Sequence, residues 1–175
     1  MNFTKLKIHG VYLIRTQKRE DERGSLTRIW CAKEFAENGI NVSLLQGYTS
    51  TTKHAGTIRG IHCQVEPAAE DKLTRIVKGK IYEVVVDLRK DSPTYLQWEG
   101  VTLSADDNTM MFIPSGVGHG FLTLSDDVMF ENMSSNPFTP EHEVGIRFDD
   151  PTFNIVWPIP VAHVSEKDKS WEDFK

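Results

Sequence analysis

Cysteine is scarce in this chain: Cys31 and Cys63 are the only two in 175 residues. A disulfide framework is therefore not expected, and both read as free thiols. Long apolar runs are missing too. Nothing approaches the ~18 consecutive apolar residues of a membrane-spanning helix. The start, Met1-Asn2-Phe3-Thr4-Lys5-Leu6-Lys7, lacks the apolar stretch of a signal peptide. No membrane association is expected, and the cytoplasm is the expected compartment. Positive charge is in deficit, with 20 Lys and Arg against 25 Asp and Glu and a net charge of −5. That balance argues against a nucleic-acid surface, although it leaves room for a local basic pocket. Metal-ligand spacing is also lacking. His62 is followed two positions on by an amide, Gln64, and the next histidine of similar context is His119. A metal needs several N, O or S ligands on one centre, so neither a metal nor another cofactor is expected.

What is present is an ordinary globular composition, 39% hydrophobic and 26% charged. The length predicts one domain spanning 1–175. Runs rich in β-branched and aromatic residues predict strands at 11–15, 25–30, 42–48, 57–64, 73–77, 81–88, 110–113, 120–124 and 128–130. Turn residues separate them, as in Lys78-Gly79-Lys80, Asp91-Ser92-Pro93 and Asp106-Asp107-Asn108. One short helix is predicted over 32–38, ending at Gly39. Many short strands at this spacing predict an all-β sandwich or barrel with only short peripheral helices. In the segment 81–88, Glu83, Val85 and Asp87 share one face and Tyr82, Val84, Val86 and Leu88 the other. Acids on one face of a core strand predict a polar cavity on that side. Cys63, beside His62, is expected to be a buried strand residue rather than a nucleophile.

The two histidine segments, Arg59-Gly60-Ile61-His62-Cys63-Gln64 and Pro114-Ser115-Gly116-Val117-Gly118-His119-Gly120, resemble a partly kept cupin signature. That implies a double-stranded β-helix, or jelly-roll barrel. Further segments narrow the resemblance: Asp21-Glu22-Arg23-Gly24, Asp71-Lys72-Leu73-Thr74-Arg75, Asp87-Leu88-Arg89-Lys90-Asp91-Ser92-Pro93, Ile155-Val156-Trp157-Pro158 and Ser165-Glu166-Lys167-Asp168. In this order they resemble the dTDP-4-dehydrorhamnose 3,5-epimerases, metal-free cupin enzymes of nucleotide-sugar pathways. The resemblance implies action on a nucleoside-diphosphate 4-keto-6-deoxy sugar, whose ketone acidifies the hydrogens on C3 and C5. It implies His62 as base, Asp168 as the carboxylate that orients it, and Lys72 beside the keto oxygen. It places Arg23 and Arg59 against the diphosphate, Gln46 near the nucleotide and Glu143 near the sugar. His119 either lines the cavity beside Glu83 or anchors the barrel.

Two departures stand out. The family tyrosine that faces the histidine falls on Glu131 or Asn132, neither of which is a phenol. Arg28 and Leu26 stand where the family has a carboxylate and an aromatic near the base, and Tyr48 stands where it often has a smaller polar residue. From the first departure, one carbon is expected to react faster than the other, C3 before C5 and in the limit C3 alone, with a raised-pKa glutamate or water as donor. Two alternatives share the same scaffold: a 3,4-ketoisomerase, and a non-catalytic sugar-nucleotide binder. A homodimer is expected, with residues 11–15 adding as a strand to the partner's sheet.

Overall fold

The computed structural model describes residues 1–174. In chain order the strands are β1 (Asn2–Lys5), β2 (Tyr12–Arg15), β3 (Lys18–Asp21), β4 (Gly24–Thr27), β5 (Gln46–Thr52), β6 (Ile58–Gln64) and β7 (Lys72–Lys78). They continue with β8 (Lys80–Asp87), β9 (Trp98–Ser104), β10 (Thr109–Ile113), β11 (Val117–Thr123), β12 (Val128–Ser134) and β13 (Glu143–Gly145). Two short helices, α1 (Ala32–Glu37) and α2 (Glu166–Lys169), lie outside them. Helix α1 stops where sequence predicts, because Gly39 takes a φ of +81° that other residues resist.

The strands form two antiparallel layers and a hairpin. One layer has the order β1-β2-β10-β7-β12-β5, the other β13-β6-β11-β8-β9, and β3 pairs only with β4. This is the jelly-roll cupin barrel that the sequence implied. Between the layers lies an apolar core of Ile76, Val85, Leu103, Met111, Phe121 and Phe130 with their neighbours. A second cluster, around Phe35, Ile14, Leu73 and Phe112, seals α1 onto the outside of the six-stranded layer. A third, around Ile61, Val84, Val86 and Phe153, covers the outside of the five-stranded layer. The alternation along β8 is thus used fully, with Tyr82, Val84 and Val86 outward and Glu83, Val85 and Asp87 inward. Among the described residues no helix is long and apolar enough to cross a membrane.

Several expectations shift. Strand β5 begins at Gln46 rather than 42, and β4 ends at Thr27 rather than 30. Strands β1, β3, β9 and β13 and helix α2 were not expected. The Lys18-Arg19-Glu20-Asp21 segment is wholly exposed, so it carries no apolar periodicity to read. Strand β13 has only 3 residues. Residues 11–15 do not form a free edge, because β2 pairs with both β1 and β10 in its own chain. The edges of this six-stranded layer are β1 and β5 instead.

Candidate active site

The site is built where β6 and β11 run closest. Gly60 has a φ of +100°, and a Cβ there would meet Gly120 Cα and the His119 carbonyl at 2.7 Å. Only glycine permits that approach. It brings His62 and His119 into register as cross-strand neighbours. His62 Nε2 lies 2.6 Å from Asp168 Oδ1. Asp168 is held by α2, whose first turn is capped by Ser165, the hydroxyl oxygen accepting from the Asp168 N–H at 3.0 Å. Burial opposes ionisation of Asp168, but bonds from His62, Ser165 and the Gly60 amide outweigh it and hold the carboxyl below its ordinary range. An ionised Asp168 fixes the imidazole proton on Nε2 and leaves the lone pair on Nδ1. Nδ1 lies 3.3 Å from Glu143 Oε1, and Glu143 is itself ion-paired with Lys167. The ring of Trp171 sits 6.2 Å from that of His62, seated over Gly145, where any Cβ would strike the indole.

His62 faces a cleft of about 550 Å³ between the two layers, a size typical of small-molecule sites. Tyr48, Arg59, His119, Lys167 and Asp168 line it as well. It leads to a recess of about 70 Å³ where Gln46, Lys72, Asn132 and Glu143 meet Tyr48, His62 and His119. Of the residues singled out in sequence, Gln46, Arg59, His62, Lys72, His119, Glu143 and Asp168 are therefore brought together. Lys72 Nζ lies 3.0 Å from Glu70 Oε1, both side chains being buried. The Gln46 carbonyl oxygen accepts from the Phe138 amide at 2.9 Å.

His119 both lines the cavity and anchors the barrel. Its Nδ1 is 3.2 Å from Glu83 Oε1, and the Thr74 hydroxyl lies 3.1 Å from each Glu83 oxygen. Burial pushes Glu83 up to about 8, against the pull of Thr74 and Lys72. Burial also holds His119 well below its ordinary value, helped by Lys72 and His62. Near neutral pH both groups are then uncharged. The carboxylic acid donates to Nδ1, and the His119 Nε2–H is left as a neutral donor.

Arg59 stands at the cleft mouth. It donates to the Thr52 hydroxyl at 2.9 Å and the Thr51 carbonyl at 3.4 Å. Among the described residues no carboxylate pairs with it. Gln64, by contrast, is fully engaged: its amide donates to Ala68, Glu70 and Pro137, and its oxygen accepts from Thr139. Cys63 is buried at the edge of the recess, and burial pushes its thiol up to about 11, so it is no nucleophile.

Arg23 and Arg28 are not brought to this cleft. Arg23 lies in the β3–β4 turn, bonded to Asp21 at 2.6 Å, and Arg28 bonds Glu34 at 2.8 Å. Both belong to the hairpin segment that stands apart from the two layers. Conversely, Lys167, Ser165 and His163 line the cleft without having been expected there. The Ser165-x-x-Asp168 spacing was the available signal, since it marks a helix start.

A family model for dTDP-4-dehydrorhamnose 3,5-epimerase matches residues 5–175. The chain belongs to this epimerase family. An epimerase of that name from Sinorhizobium fredii is 39% identical, over 97% of this chain and 88% of the relative. The crystal structure of the Bacillus anthracis epimerase with TDP and PPi bound superposes with a TM-score of 0.95 at 34% identity, covering 99% of both chains. The Legionella pneumophila enzyme, solved with dTDP-4-keto-L-rhamnose, superposes with a TM-score of 0.92 at 32% identity, over 98% of this chain and 92% of that one. In this member of the epimerase family, the choice that sequence left open on β12 is decided by alternation. Glu131 faces outward and pairs with Arg75. Asn132 is 1% exposed and faces the recess.

Proposed function

We propose that the chain is a single-domain epimerase of nucleoside-diphosphate 4-keto-6-deoxy sugars. The observation that carries this reading is the His62–Asp168 pair at 2.6 Å, facing a cleft of substrate size. His62 Nδ1 removes a proton from a carbon beside the ketone, and Asp168 steadies the imidazolium that forms. Lys72 and the neutral His119 N–H stabilise the enolate oxygen from the recess. Arg59, with no carboxylate partner among the described residues, takes the diphosphate at the mouth. Gln46 and Glu143 hold nucleotide and sugar. The support is physical: an acidic chain needs such a local cation to hold a dianion.

The working unit in this reading is a homodimer. Hairpin β3–β4 exposes nearly every side chain, with Leu26 70% exposed. An isolated two-stranded hairpin is marginal in water, and a second copy is the natural partner. Arg23 and Arg28, which travel on that segment, would meet a nucleotide only in such an assembly.

The test is proton NMR in deuterium oxide with a dTDP-linked 4-keto-6-deoxyhexose. The parent protein exchanges protons beside the ketone, and the His62→Ala variant slows this by about 10²–10⁴. Movement of the ketone would mark an isomerase instead. Absence of exchange with dTDP, GDP, CDP and UDP sugars alike would mark a binder.

A further inference from the structure

Inverting a carbon needs two proton carriers on opposite sides of the sugar. His62 reaches the cleft from the five-stranded layer. The side chains facing it from the other layer come from β5 and β12, and Gln46, Tyr48, Asn132 and Ser134 line the same recess. Two of these bear on proton transfer, Tyr48 and Asn132. They are direct register partners across these strands, so both point to the interior side by side. Asn132 carries no titrating proton. Its Oδ1 is buried and makes no hydrogen bond, an unsatisfied acceptor on a residue that lines the recess. Glu131 is on the wrong face of β12. Of the chain's 4 tyrosines, Tyr48 alone lines the cleft and the recess.

Resting on the epimerase reading, we propose that Tyr48 is the proton donor opposite His62, and that Asn132 Oδ1 accepts a hydroxyl of the same sugar. The step balances. His62 takes the C–H proton and the electron pair moves to the ketone oxygen as an enolate. As the ketone re-forms, the Tyr48 O–H bond breaks and its proton joins the opposite face of the same carbon. Imidazolium and phenolate then exchange with water at the mouth, where Tyr48 is 48% exposed. Before each turnover the phenol is in its donor form. Burial, with Glu70 and Glu143 nearby, raises its pKa above the ordinary value, against the opposing influence of Arg59 and the Asn132 amide. With a phenol in place, the reason for expecting inversion at C3 alone falls away.

The experiment follows exchange and configuration separately, at C3 and C5, for the dTDP-linked 4-keto-6-deoxyhexose in deuterium oxide. The parent should exchange and invert. Tyr48→Phe should keep exchange with retained configuration within about tenfold, because His62 still removes and returns the proton. Its inversion should fall by about 10²-fold or more. The double variant Tyr48→Asn, Asn132→Tyr, which exchanges the register partners, should recover inversion over the single variant. Inversion by Tyr48→Phe at the parent rate overturns the assignment. Equal loss of exchange and inversion, with no recovery in the double variant, also overturns it by reducing Tyr48 to a structural role. Failure of the epimerase reading looks different, since the parent itself would then neither exchange nor invert.

Discussion

At the residue scale, the roles proposed for His62 and Arg59 separate. Arg59 holds the Thr52 hydroxyl and Thr51 carbonyl oxygens and lines the cleft, so Arg59→Ala should weaken nucleotide binding roughly tenfold or more, read by calorimetry with dTDP. His62→Ala should leave that affinity within a few-fold, because in the proposed reading the imidazole meets the sugar rather than the anion. That His62, Lys72 and Asp168 come together around one cleft and its recess was legible in sequence, through segments that resemble the family's. Tyr48 was legible only as an oddity. Its meaning depends on which residue of β12 lies beside it, and cross-strand register is not written in either strand alone. The same limit left Asn132 and Glu131 undecided until burial alternation separated them.

At the element scale, β8 buries two acids with opposite consequences. Burial works against ionisation of Asp87, yet bonds from Arg89, Ser92 and Thr94 prevail and hold it at about 2. A depressed folded value means stability fully present above about pH 4 and lost as pH falls toward 2, roughly 2 kcal/mol in all. Asp87→Asn should remove that acid dependence and lower the melting temperature at pH 7, as read by calorimetric scans across pH. Glu83 runs the other way. Its raised value means the folded state keeps a proton that the unfolded chain releases above about 4.5, so stability declines as pH rises from there to about 8. Glu83→Gln keeps the hydrogen-bonding shape without the charge. It should raise the melting temperature at pH 8.5 by at least ~2–4 °C, the shift for about 1 kcal/mol at this length, with a smaller gain at pH 5. Strands such as β8 and β12 were legible because alternation is strong where one face is core. Strands β3 and β13 were not, since one is all charge and the other is defined only by pairing with β6.

At the scale of the whole molecule, the jelly roll was legible from strand density and the two histidine segments, but the placement of the N-terminal strands was not. With β2 internal, dimerisation through residues 11–15 would require taking β2 out of its own sheet. The exposed hairpin is the better candidate. Light scattering at micromolar concentration should give twice the mass of 19.9 kDa, and Leu26→Asp should shift the protein toward monomer. The core and the cleft also divide the barrel between them. Apolar packing concentrates on the β2, β10, β8 and β9 side, while the opposite side, between β5 and β6, is given to polar groups and open space. Strand β5 has a neighbour on one edge only. Amide protons should therefore exchange slowly along β8 and much faster along β5. With that outcome the protein would have a rigid back and a looser front, and an occupant of the cleft would slow exchange mainly at the front, as if closing a book from its spine.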